Sequence, residues 1–253
     1  MDLNITIKKS HVSKCFEKGF TTYDDKATVQ DMVAQNLVKQ LSFLPQKQQH
    51  TFEIGSGSGK LTNYYLQKFS PNKYTINDIV QNMFPTVESI VRTYKVPLIE
   101  RCMGDIESIQ VPNSATLIIS SSVFQWIENL NKLFDKLSKT QRSGDHLAFS
   151  IYTKGTFSTF HKAADCGLQY HRHEEIIKMI EKKYEVIHDY NESIELQFES
   201  PREILLHMKE TGVNGVGTQW TKSKHLNFIK NYPKDGKFYT LKYNPSYFIL
   251  KKK

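Results

Sequence analysis

The stretch Thr51 to Thr62, TFEIGSGSGKLT, constrains this chain more than any other. A short β-prone run with Phe52 and Ile54 leads to glycines at every second position, Gly55, Gly57 and Gly59. A helix-compatible segment, KLTNYYLQKF, follows. Glycine has no Cβ to hold a ligand away, so strand, glycine turn and helix together let backbone amides approach a nucleotide-like group. Two phosphate loops fail to match. A Walker loop requires glycine where Ile54 stands and Ser or Thr where Leu61 stands. A dinucleotide fingerprint requires its third glycine at Lys60, one residue beyond Gly59.

Acids follow at informative distances. KYTIND, Lys73 to Asp78, reads as a second strand ending in a carboxylate 19 positions after Gly59. A carboxylate about 20 residues past such a loop, at a strand's carboxyl end, accepts hydrogen bonds from ribose hydroxyls and disfavours a 2′-phosphate. A third strand, Leu98 to Cys102, delivers Gly104, Asp105 and Ile106. The fourth, Ala115 to Ser120, is a continuous apolar run suited to a buried parallel position. It exits into SSSVFQW, Ser120 to Trp126, and a fifth strand spans His146 to Tyr152. Helical segments at 60–69, 82–94 and 129–140 alternate with these strands. The alternation predicts an α/β fold, a doubly wound (Rossmann-like) parallel sheet with helices on both faces. Ligands of such sheets bind at the strands' carboxyl ends, where Gly55 to Gly59, Asp78 and Asp105 fall.

At 253 residues the chain suffices for one α/β domain with insertions and does not demand two. Ahead of the first strand, Val29, Met32, Val33, Leu37 and Leu41 recur at helical spacing from Thr28, which predicts a helix packed on the sheet. It would bring Tyr23 near the loop mouth as a lid residue. After strand five come helical stretches opening at GTFSTFHKA and HRHEEIIKMI, then the β-prone pieces EVIHDY and SIELQF. Ser200, Pro201 and Glu203 begin a capped helix that Gly212 closes. FYTLKYNPSYFILKK reads as a final hairpin of the sheet. His171, Arg172, His173 and Glu174 are neighbours in sequence and cannot converge on one ion, so no metal is expected. Cys15, Cys102 and Cys166 are scattered, as reduced thiols of a cytoplasmic protein are. No apolar run approaches the ~20 residues that cross a bilayer, and the opening MDLNITIKKSHVSKCF lacks the apolar core of a signal peptide. The net charge of +8 favours an acidic partner. The lysines are spread out, without the interleaved aromatics of a nucleic-acid track.

With its glutamate included, the loop is E-x-G-x-G-x-G and resembles the S-adenosylmethionine loop of doubly wound methyltransferases. The resemblance implies S-adenosylmethionine as cofactor, S-adenosylhomocysteine as product, and a cofactor site built from Glu53, Gly55, Ser56, Gly57, Gly59, Asp78, Ile79, Asp105, Ile106 and Ser121. Asp105 takes the place of the acid that holds the adenine amino group. Nitrogen methyltransferases carry [DNS]-P-P-[YF] at the strand-four exit, and SSSVFQW has no such grip.

Over nearly its whole length the chain also resembles the malonyl-acyl-carrier-protein O-methyltransferases of biotin synthesis. The likeness is carried by FEKGFTTYDDKATVQ, EIGSGSGKLT, SSSVFQWI, FSIYTKGTF and FESPREILLHMKETGVNG. It implies methylation of the free carboxylate of a malonyl thioester on an acidic acyl-carrier protein, with malonyl-CoA as a further acceptor. Such a carboxylate is already ionised, its pKa being near ~4, so no general base is required. The work is to hold its oxygen in line with the sulfonium methyl at roughly 3 Å and to exclude water. A cation would orient the carboxylate, and Lys209, His207 and Arg202 on the capped helix are the candidates. Lys209, at the family's lysine position, is the expected one, with Gln125 and Tyr23 as catalytic partners. His207, Arg202 and Trp126 are the expected acceptor-binding residues. The implied division is an N-terminal helical lid (1–48), a cofactor core (49–152), an acceptor-binding insertion (153–236) and the final hairpin (237–253). Methylation of a small acid or an RNA remains open on the residues alone, as does a cofactor-binding scaffold without turnover.

Overall fold

The computed structural model describes Lys9, Glu17 and residues 26–212 and 221–253. Helix α1 (Thr28–Gln40) leads to strand β1 (Lys47–Ile54), and the glycine turn and α2 (Lys60–Leu66) lead to β2 (Ser70–Asp78). Helix α3 (Phe84–Thr93) precedes β3 (Leu98–Met103), and β4 (Leu117–Ser121), α4 (Leu130–Thr140) and β5 (His146–Tyr152) complete the parallel half. Beyond it come α5 (Ser158–Ala164), α6 (His173–Ile180), β6 (Tyr184–Asn191) and β7 (Ile194–Phe198). The chain closes with α7 (Pro201–Glu210), α8 (Lys222–Asn231), β8 (Tyr239–Tyr243) and β9 (Pro245–Lys252).

Seven strands form the main sheet in the order β3-β2-β1-β4-β5-β9-β6. The first five are parallel, and β9 runs antiparallel between β5 and β6. The doubly wound sheet predicted from the alternation is therefore present. Two buried clusters cover its faces. One gathers α1, α2 and α3 with parts of α5, α7 and α8. The other gathers α4 and α6 around Phe124, Phe134, Phe149 and Phe248. Helix α4 shows why: Leu130, Leu133, Phe134 and Leu137 fall on one helical stripe and all are buried. Each contributes about 2 kcal/mol by leaving water. Helix α1 lies against α2, β4 and β5, so residues 28–40 of the expected lid segment are a core layer, while Tyr23 lies outside the described residues.

The end of the chain differs from the expected hairpin. Strand β8 pairs with β7 in a separate two-stranded sheet, while β9 enters the main sheet. Only Asn244 links them, fewer residues than a two-residue hairpin turn needs. The loop after β5 grips that link. The Thr153 N–H donates to the Asn244 carbonyl at 2.9 Å, and the Asn244 N–H donates to Thr156 Oγ1 at 2.9 Å. Composition agrees: from Pro245 to Leu250 every residue of β9 is buried, as a strand covered on both faces requires.

Candidate active site

The sheet order lays the strand exits side by side along one rim: Asp105 after β3, Asp78 on β2, the glycine loop after β1, Ser121 and Ser122 at β4, Tyr152 on β5. Adjacent strands stand ~4.8 Å apart, so this row covers about 19 Å, the reach of an extended ligand and not of a single ion. A cleft of about 940 Å³, its open mouth included, runs along it, within the range of small-molecule sites. Its walls hold Gly55, Gly57 and Ser58, then Asp78 to Val80, Gly104 to Ile106, and Ser121 to Val123 with Trp126 and Lys9.

The loop is shaped to leave room. Gly57 has φ +52°, and a Cβ built on it would meet nothing within 4 Å, so its Cα faces open space. Gly59, at φ +87°, starts α2, and a Cβ there would lie 2.6 Å from Ile90 Cδ1. Asp78 ties loop and strand together. Its Oδ2 accepts the Gly57 N–H and its Oδ1 the Val80 N–H, each at 2.8 Å. Each oxygen keeps a second lone pair for a ligand. Burial pushes the Asp78 pKa up, against those two amide bonds. Asn77 braces the next exit by donating to the carbonyls of Cys102 (2.7 Å) and Gly104 (2.9 Å).

At β3, Asp105 Oδ1 accepts the Glu107 N–H at 3.0 Å, and Oδ2 lies 2.5 Å from Lys9 Nζ, which also meets Glu107. Burial works against the Lys9 charge, but the two carboxylates outweigh it and raise its pKa. At β4, Ser121 Oγ and Ser150 Oγ share a hydrogen bond of 3.0 Å. Gln125 Nε2 donates to the Ser122 carbonyl at 2.5 Å, and its Oε1 accepts the Tyr152 N–H at 3.5 Å. The buried hydroxyl of Ser58 has no partner, and those of Ser122 and Tyr152 have none beyond each other. The cleft thus fits a donor with a ribose and a purine: carboxylates at β2 and β3, an open glycine at β1, and a buried unpaired Ser58 hydroxyl beside it.

Residues 52–149 match the family model described as a methyltransferase domain. Among solved structures of like fold are YcgJ from Bacillus subtilis and the N-methyltransferase NodS from Bradyrhizobium japonicum bound to S-adenosyl-L-homocysteine. YcgJ superposes with a TM-score of 0.63 at 12% identity, over 87% of this chain and 98% of its own. NodS superposes with a TM-score of 0.51 at 13% identity, over 86% of this chain and 85% of its own. The malonyl-acyl-carrier-protein O-methyltransferase of Chlorobium phaeovibrioides is 31% identical over 97% of both chains. That of Bacteroides thetaiotaomicron is 28% identical over 98% of this chain and 99% of its own. This chain belongs to the malonyl-acyl-carrier-protein O-methyltransferase family.

In this methyltransferase the expected site residues divide. Gly55, Gly57, Asp78, Ile79, Asp105, Ile106, Ser121 and Trp126 line the cleft. Glu53 lies beneath the loop, fully buried, because the alternation of β1 turns it toward α2 and β2. Its Oε2 accepts from Thr62 Oγ1 at 2.6 Å and Tyr74 Oη at 2.5 Å. Burial pushes its pKa up to about 7, against the Thr62 and Tyr74 bonds. Ser56 is buried with its N–H on the Asn77 carbonyl at 2.9 Å, so Ser56 and Gly59 shape the loop from below. His207 requires correction as a cation. It is buried against Tyr243, whose hydroxyl lies 2.7 Å from Nε2, and burial lowers its pKa to about 4, leaving a neutral ring. Arg202 and Lys209 are exposed on α7 and do not line the cleft. Gln125 is committed to backbone atoms, which makes it a clamp. Tyr23 lies outside the described residues. Sequence reasoning missed Asn77, marked only as a polar residue within an apolar strand. Lys9, 96 positions from Asp105 in the chain, carried no local signal.

Proposed function

We propose that this chain transfers a methyl group to the free carboxylate of a malonyl group carried on an acyl-carrier protein, forming the methyl ester that primes pimeloyl and biotin synthesis. The methyl donor is S-adenosylmethionine, which supplies an electrophilic methyl on its sulfonium. One observation carries the choice of acceptor. Among the described residues the ionisable side chains lining the cleft are Lys9, Asp78 and Asp105, all at the β2–β3 end. The β4 exit offers Ser121, Ser122, Val123 and Trp126, with no general base. An amine or hydroxyl acceptor must lose a proton to a base. A carboxylate, with a pKa near ~4, arrives ionised.

In this reading Asp78 takes the ribose hydroxyls, beside Ile79. Asp105 and Ile106 take the adenine edge, while Gly55, Gly57 and Ser58 make room for the amino-acid end. Trp126 walls the acceptor pocket. The +8 charge of the chain suits an acidic carrier. Exposed Arg202 and Lys209 would meet that carrier and not the reacting carboxylate. Malonyl-CoA presents the same thioester and is a smaller acceptor of the same chemistry. Scattered cysteines support a cytoplasmic setting, and among the described residues no helix is long and apolar enough to cross a membrane.

The test is mass spectrometry of the carrier protein after incubation with S-adenosylmethionine and the enzyme. A gain of one methylene on malonyl-carrier protein, absent from acetyl-carrier protein and from a Gly57→Asp variant, is the expected result. No gain while the donor still binds would leave the fold and cofactor in place and remove this acceptor.

A further inference from the structure

The acceptor end of the cleft holds two features that the donor does not use. Ser122 adopts φ +58°, a left-handed conformation that residues with a Cβ rarely occupy. It is held there from both sides. Its N–H donates to the Ser150 carbonyl at 3.1 Å and approaches Ser150 Oγ at 3.2 Å, and its carbonyl accepts from Gln125. The other side-chain atom of Gln125 takes the backbone N–H of Tyr152. One amide therefore clamps Ser122 and Tyr152 together from strands β4 and β5. Strain that persists at a cleft wall, held by neighbouring bonds, is a sign of function.

What the clamp presents is a pair of hydroxyls. Ser122 Oγ and Tyr152 Oη are both buried, and neither has a hydrogen-bond partner outside the pair. The Ser122 side chain reaches the phenol in a hydrogen bond that partly offsets the effect of burial on its pKa. Ser122 lines the cleft, while Tyr152 stands behind it at 3% exposure, packed on Tyr243 with ring centroids 5.5 Å apart. An unpaired buried hydroxyl is costly unless something completes it.

We propose that the Ser122 and Tyr152 hydroxyls bind one carboxylate oxygen of the acceptor and hold the other toward the methyl group. This rests on the carboxylate acceptor proposed above. Both groups are neutral donors, and burial pushes the Tyr152 pKa well up, so the phenol keeps its proton. A lysine or arginine would hold the carboxylate more tightly but draw charge from the attacking oxygen. Two hydroxyls orient it with less loss of nucleophilicity. In the step itself a carboxylate lone pair forms the oxygen–methyl bond. The sulfur–methyl bond breaks, its electron pair goes to sulfur, and no proton moves.

The test uses the full chain as Tyr152→Phe, Ser122→Gly and the double variant. Glycine accepts the positive φ, so Ser122→Gly removes the hydroxyl without adding strain. Three quantities are read: S-adenosylmethionine affinity by calorimetry, the unfolding midpoint, and kcat/KM for malonyl-carrier protein. Each single variant is expected to lose about 10- to 100-fold in kcat/KM, the range for one hydrogen bond to a charged group. Donor affinity and the unfolding midpoint should stay at wild-type values. With S-adenosylhomocysteine present, the preference for binding malonyl- over acetyl-carrier protein should vanish in the double variant. Variants that transfer at the wild-type rate would overturn the hydroxyl pair and leave the acceptor assignment standing. So would a lowered unfolding midpoint with transfer intact, since the two hydroxyls would then serve each other. Wild-type enzyme that leaves malonyl-carrier protein unmethylated would overturn the acceptor assignment, and the pair with it.

Discussion

Glu53→Gln should make this protein clearly more stable at pH 8 and only slightly so at pH 5. Glu53 is fully buried, and only Oε2 is hydrogen-bonded, to Thr62 and Tyr74, while Oε1 has no partner. Burial pushes its pKa from the ordinary 4.5 to about 7. Between those values the folded chain keeps a proton that the unfolded chain releases, so stability falls as pH rises from 4.5 to 7 and then levels off. At about 1.4 kcal/mol for each pH unit of that window, the carboxylate costs about 3 kcal/mol above pH 7. Glutamine cannot ionise. Its Oε1 can accept from Thr62 and Tyr74, and its Nε2 takes the place of the unpaired oxygen. Urea unfolding followed by circular dichroism at pH 5, 6, 7 and 8 measures both proteins. Their difference cancels the histidines, which titrate alike in each. The expected gap grows from somewhat under about 1 kcal/mol at pH 5 to about 3 kcal/mol at pH 8, or roughly 2–4 °C of unfolding midpoint per kcal/mol for a domain of this size. A gap that stays constant with pH, or a wild type more stable at pH 8, would falsify the account of Glu53 as a buried structural acid.

Gly57→Asp should abolish S-adenosylmethionine binding in calorimetry while the circular dichroism spectrum is kept, because the new side chain enters open cleft beside Asp78. Retained affinity would mean that the donor does not pass Gly57. Gly59→Ala acts on the fold instead: φ +87° and a Cβ 2.6 Å from Ile90 predict a loss of about 1–3 kcal/mol in denaturant unfolding. An unchanged midpoint concentration counts against the loop geometry. His207 carries an acid-side signature. Its folded pKa of about 4 lies below the ordinary 6.5, so the stability it contributes is present above pH 6.5 and lost as pH falls toward 4. His207→Gln, which keeps a partner for Tyr243, should flatten that limb of the stability profile. An equally steep limb in the variant would show that His207 does not titrate there.

Much of the fold was legible because local patterns repeat with fixed periods. Apolar strands alternating with helical stripes indicated a doubly wound sheet, and the bounds of β5 fell at His146 and Tyr152 as read. The glycine loop and Asp78 were legible for a related reason. A sharp turn needs glycine, and a strand of known length sets where the next acid falls. The end of the chain was not legible as a hairpin, since the grip of Thr153 and Thr156 on Asn244 joins residues about 90 positions apart.

The sequence by itself determined the architecture, the donor loop and which residues stand at the strand exits, because these follow from spacing along the chain. Which side chains face the cleft was decided only by the tertiary structure. Glu53 sits within the loop motif yet turns into the core, because the alternation of β1 and the hydroxyls of Thr62 and Tyr74 draw it there. His207 looked like a cation and is neutral, because water is excluded around it. Ser122 and Tyr152 became one pair only when β4 and β5 came side by side in register, with Gln125 reaching across. Burial and partnership belong to the packed sheet, and no run of neighbouring residues encodes them.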